Sequence, residues 1–230
     1  GPIMRHAYLP LALAALLPLS AHAGTPLEDA LAAPADGPLY MFDVTVQNSD
    51  TEAMIRVDPS RPEGERLNVI TPAQTDWTDD FRKLVKKMDA DTDGDIWCSS
   101  LGENIPADAA LVTESPTTAT YTFKPQKGAK PDDLDDVYKY LTGTVVVAKN
   151  EPAILSVEMV SEKPFRPFPI AKIKTFKLNF DCARAPDGRT HISRVDVAIN
   201  GSAMMKEFSE AEHQTISNLK PLPESGMGTK

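Results

Sequence analysis

Asp89-Ala90-Asp91-Thr92-Asp93-Gly94-Asp95-Ile96 is the run whose residue types and spacing best suit chemistry. Carboxylates at its first, third and fifth places, glycine at the sixth and an aliphatic residue at the eighth reproduce the first half of an EF-hand loop. Calcium takes such oxygens, so Asp89, Asp91, Asp93 and Asp95 are candidate ligands. The second half departs from the pattern. Ser100 stands at the twelfth place, where a bidentate Glu belongs, and Glu103 lies three residues late. The competing reading is an acidic turn in which Gly94 stops a helix and the carboxylates stay in water.

Catalysis by a nucleophile has thin material. Beyond residue 23 the histidines are His191 and His213, and neither Gly-x-Ser-x-Gly nor His-Glu-x-x-His occurs. No catalytic residue is assigned and the chain is read as a non-enzyme; a hydrolase would need Ser and Asp brought to His191 in space. Cys98 and Cys182 are an even pair, most simply one disulfide in an oxidising compartment. Closing a loop of roughly 85 residues is worth about 4 kcal/mol in the chain-entropy model. A redox or metal pair is the alternative, without a Cys-x-x-Cys or a nearby His to support it.

Two apolar groups suit contact rather than chemistry. Phe165 and Phe168 sit between prolines in Lys163-Pro164-Phe165-Arg166-Pro167-Phe168-Pro169. They either face a ligand or partner or cap the core. Met204, Met205 and Phe208 form a second group, and methionine suits a tolerant binding surface.

Strands must position most of these residues. Tyr40, Phe42, Val44 and Val46 alternate with polar neighbours, as in a half-buried strand. Residues 53–57, 66–70, 120–124, 142–149, 153–161, 170–182 and 189–200 read the same way, joined by turn signals such as Asn150-Glu151-Pro152 and Pro186-Asp187-Gly188. Residues 202–207 extend the sheet after Gly201. Trp77, Phe81, Leu84, Val85 and Met88 share one helical face, which predicts a helix over 76–89 capped by Thr75 or Asp76. Further helices are expected at 131–140 and 209–217. The fold class is mainly β (α+β): a single curled antiparallel sheet, or half-barrel, with two or three covering helices.

The N-terminal stretch sets the compartment. Arg5, an apolar run from Tyr8 to Leu19 and Ala21-His22-Ala23 make a signal peptide cleaved near Ala23. Gly1-Pro2-Ile3 ahead of Met4 reads as an expression scar. The apolar run is shorter than a membrane span, so no transmembrane segment is expected in the mature chain. The expected organisation is signal peptide and scar over 1–23, a flexible arm over 24–37, one β-rich domain over 38–220 and a disordered tail over 221–230. The mature protein is expected in the periplasm or outside the cell.

Charge narrows the partners. With 24 Lys+Arg against 33 Asp+Glu the net charge is −9, which repels nucleic acid and argues against tight docking of the chain as a whole on anionic lipid.

The order of elements resembles the periplasmic lipoprotein-carrier superfamily, LolA/LolB-like. The resemblance is carried by a signal peptide leading into Tyr40-Met41-Phe42-Asp43-Val44, then an amphipathic helix, Tyr121-Thr122-Phe123-Lys124-Pro125, Leu141-Thr142-Gly143-Thr144-Val145 and a meander through Gly201. It lies in architecture over most of 38–208. It implies a half-barrel holding acyl chains in an apolar concavity under helices, in an uncharacterised Gram-negative branch. The carriers' arginine has no matching motif here, so no functional residue is carried over. The expected function is non-enzymatic binding of a lipid or other acylated, apolar ligand, as carrier or sensor. The alternative is a protein-interaction module of the envelope, either one stabilised by calcium.

Overall fold

The computed structural model describes residues 24–223. The signal peptide and scar over 1–23, and residues 224–230 of the expected tail, lie outside the described residues. The described chain is mainly β, built on one antiparallel sheet of eleven strands. The first hairpins are β1 (Tyr40–Asn48), β2 (Glu52–Val57) and β3 (Leu67–Thr71). The second run is β4 (Ala110–Glu114), β5 (Thr118–Phe123), β6 (Leu141–Ala148) and β7 (Ala153–Ser161). The last is the short β8 (Phe165–Phe168) and the long β9 (Ala171–Arg184), β10 (Thr190–Ala203) and β11 (Lys206–Pro221). Their order in space is β3-β2-β1-β11-β10-β9-β7-β6-β5-β4, with β8 added to β9. The path ends at β3 and β4 without closing. Strand β11 joins the N-terminal hairpins to the rest by pairing with both β1 and β10.

Cross-strand rows show why the sequence makes this sheet one-sided. Val46, Gln214, Val195, Phe180, Val157, Val145 and Tyr121 stand side by side across β1, β11, β10, β9, β7, β6 and β5. The row one residue along is Gln47, His213, Asp196, Asn179, Glu158, Thr144 and Thr122. Successive side chains point to opposite faces, so one face is apolar and the other polar. The apolar face divides into two core clusters. One gathers Tyr121, Leu141, Val145, Val157, Met159 and Leu178 under α1 (Pro26–Leu31) and the 3-10 segment Cys98–Asn104. The other gathers Phe42, Val44, Val46, Ile55 and Trp97, with Leu84 and Met88 of α2 (Asp79–Asp91) against it.

Several sequence expectations change. The segment 24–37 is not a loose arm throughout. Thr25 Oγ1 accepts from the Glu28 backbone N–H at 3.2 Å, Pro26 opens α1, and Leu27 and Ala30 are buried in the core. Arg189 pins residues 35–38, donating to the carbonyls of Ala35 and Pro38 at 3.1 and 2.7 Å while its guanidinium lies 3.5 Å from the Trp97 ring centre. Helix α2 is capped by Thr78, not Thr75 or Asp76, and begins at Asp79. The helix expected at 131–140 is a run of turns closed by one 3-10 turn, Tyr138–Tyr140. Asp132 accepts from the Leu134 backbone and Asp135 from the Asp132 backbone, a local alternative to helical bonding. The helix expected at 209–217 is the middle of β11, where two neighbouring strands supply ladders that outweigh the helix propensity of Glu-Ala-Glu. Pro221 ends that strand, and the Leu222 N–H donates to the Leu39 carbonyl, so the tail is tied down at least that far.

Candidate functional site

Strand β11 breaks the apolar face. Its inward positions are Phe208, Glu210, Glu212, Gln214 and Ile216, so acids enter a row of hydrophobic neighbours. Glu212 stands between Asn48 of β1 and Val197 of β10, and Glu210 faces Ile199. The two core clusters are built on either side of this break. Between them a groove of about 820 Å³ runs beneath the start of α2. Phe81, Leu84, Val197, Ile199 and Ala211 supply its apolar lining. Phe81 is held edge-on to Trp77, with ring centres 5.3 Å apart, and the Trp77 indole N–H donates to the Pro72 carbonyl at 3.1 Å.

The groove's polar lining is acidic. Asp50, Asp80, Glu210 and Glu212 line it, and among the described residues no lysine or arginine does. Glu212 accepts from the amides of Asn48 at 3.2 Å and Gln214 at 3.1 Å, neutral donors that leave its charge in place. A volume of this order accommodates an acyl chain or a small amphiphile, and the carboxylates favour a neutral or amine-bearing polar end over an anionic one.

The sequence-picked residues fall elsewhere. The aspartates of 89–95 do not converge. Asp89 accepts from the backbone N–H groups of Gly64 and Arg66, and Asp93 accepts from the Asp95 N–H at 2.9 Å. Asp95 accepts from the Trp97 N–H at 3.2 Å and the Ser100 hydroxyl at 2.7 Å. These carboxylates tie a turn together, and among the described residues no three His, Cys, Asp or Glu side chains gather to hold a metal. In this arrangement the carboxylates are engaged with the turn's own backbone and with Ser100. Cys98 and Cys182 form a disulfide that fastens the 98–104 segment to β9.

Phe165 is buried and stacks on Tyr140 at 4.5 Å, so it belongs to the core and not to a rim. Phe168 is exposed, as are Met204 and Met205. Phe208 is half-buried over Gly201. A Cβ at Gly201 would overlap the Lys172 carbonyl and crowd the Phe208 ring, so only glycine fits there. His191 is buried, and its Nδ1–H donates to the Ile192 carbonyl at 2.9 Å. Burial pushes its pKa down. His213 lies on the polar face against Asp196, whose carboxyl Arg194 holds below the usual range. Neither histidine has a serine hydroxyl among its hydrogen-bond partners in the described residues.

Sequence reasoning missed the groove. The strand that interrupts the apolar face, β11, carries no alternation that separates it from a solvated helix, so the sequence offers no signal for the gap. Comparison with family models, with curated proteins and with solved structures finds no match for this chain.

Proposed function

We propose that the mature chain is a periplasmic or secreted, non-enzymatic binding protein that holds a lipid-like or acylated ligand in the groove beneath α2. The observation carrying this reading is the gap in an otherwise apolar sheet face, about 820 Å³ and lined by Phe81, Leu84, Val197 and Ile199. An open sheet covered on one face by helices is the frame a half-barrel carrier of the LolA/LolB-like kind requires. The acidic lining narrows the ligand to one whose polar end is neutral or amine-bearing. Neither carriage nor sensing needs a reacting side chain.

The test is native mass spectrometry with organic extraction on protein purified from a bacterial periplasm, alongside the Val197→Trp variant, which fills the groove. A stoichiometric lipid on the wild type that Val197→Trp loses is the expected result. A clean apo mass, together with no uptake of a long-chain amine dye, overturns the reading.

A second reading has its own observation. Edge strand β4 exposes both Leu111 and Val112, and among the described residues its outer backbone groups pair with no other strand. Such an edge accepts a strand from another protein, here an envelope partner. Loss of a captured partner in a Val112→Pro variant supports it, and unchanged capture removes it.

A further inference from the structure

The far end of the β9–β10–β11 ribbon carries an apolar cluster that no other described residue covers. Phe168 is 54% exposed, Ile170 66%, Met204 75% and Met205 101%. They are neighbours: Phe168 pairs with Ala171, Ala171 with Ala203, and the Met204 N–H donates to the Ile170 carbonyl at 3.0 Å. Met204 and Met205 form the two-residue loop between β10 and β11, with φ of 49° and 67°. Two left-handed residues in such a loop call for Asn-Gly; methionine at both is conformationally costly. The turn is therefore not optimised for folding.

Charge at this end opposes that of the rest of the chain. Segments 163–174 and 201–207 hold Lys163, Arg166, Lys172, Lys174 and Lys206 against the single acid Glu207, a balance of +4 in a chain of −9. Glu207 is itself paired with Lys174 at 3.0 Å. Lys172 and Lys206 flank the loop, opposite Ser202 and Ala203. Exposed apolar side chains within a collar of cations match an anionic bilayer surface, where the apolar groups enter the interface and the cations meet headgroups.

We propose that this hairpin end is a docking surface for anionic lipid bilayers. Phe168, Ile170, Met204 and Met205 insert at the headgroup boundary and Lys172 and Lys206 bind the phosphates. The proposal stands apart from the groove's ligand and needs no cargo.

Co-sedimentation with vesicles of pure phosphatidylcholine and of phosphatidylcholine with phosphatidylglycerol tests it. Binding is expected to the anionic vesicles, to weaken in high salt, and to fall by about tenfold or more in Lys172→Glu/Lys206→Glu. Met204→Asn/Met205→Gly installs the preferred turn, so the variant folds at least as well and yet loses binding. Equal binding to both vesicle types, no binding to either, or undiminished binding by the Asn-Gly variant overturns the proposal. The Asn-Gly variant leaves the groove lining untouched. Its co-purifying ligand, read by mass, therefore reports on the carrier reading separately from the vesicle result.

Discussion

His191 ties stability to pH. It is buried, and its pKa is lowered chiefly by desolvation. The unfolded chain therefore binds a proton below about pH 6.5 that the folded chain resists, and stability falls as pH drops from there through the folded value. Thermal melts between pH 7 and pH 5 should show a decline that His191→Phe flattens. Gly143 makes a steric prediction. A Cβ there would overlap Cζ of Phe123, a buried ring with no room to retreat. Gly143→Ala should cost about 2 kcal/mol in denaturant melts, and Phe123→Leu in the same chain should recover part of it. Neither effect is legible in the sequence. Gly143 reads as an ordinary strand glycine until register places Phe123 opposite it.

Strands are far more legible than caps and termini. Alternation locates β1 and β7 closely because buried positions alternate with less buried ones along most of each strand. Strand β11 reads as a helix over 209–217 because, Ala211 apart, both its faces are polar through Ser209–Thr215; nothing periodic distinguishes that stretch from a solvated helix, and only β1 and β10 on either side decide it. Strand β4 leaves no pattern for a related reason, being an exposed edge with no buried residue. Helix α1 does leave a mark. Thr25-Pro26-Leu27-Glu28 is a capping box with proline at its first turn, masked by an alanine- and proline-rich neighbourhood. The aspartate run over 89–95 is engaged locally. Its aspartates are spaced for a metal, but backbone N–H groups at Gly64, Arg66, Asp95 and Trp97 reach them first.

Across the molecule, long-range ties hold local pieces that bury little themselves. The Cys98–Cys182 disulfide spans 84 positions and anchors the 3-10 segment Cys98–Asn104 to β9. Alkylation before reduction should label no thiol, and Cys98→Ser/Cys182→Ser should lower stability by about 4 kcal/mol. The pairing is legible from composition and compartment; the groove is not, because it arises where two clusters fail to meet, and that gap depends on β11 being inserted between β1 and β10. Groove and hairpin end lie on the same ribbon. Ile199 is four residues from the end of β10 at Ala203, roughly 13 Å along the strand. A molecule standing on its hairpin would hold the groove close to the surface it stands on.

Full exposure of Met205 also has a chemical outcome. Its thioether, and that of Met204 beside it, are open to peroxide, and sulfoxidation would replace the softest, most apolar atoms of the hairpin with polar, chiral ones. Mild peroxide treatment should add oxygen at these two methionines well before buried Met159, with the fold's melt unchanged and vesicle binding lost. A methionine sulfoxide reductase should restore it, which would make the grip of this protein on a surface responsive to oxidants.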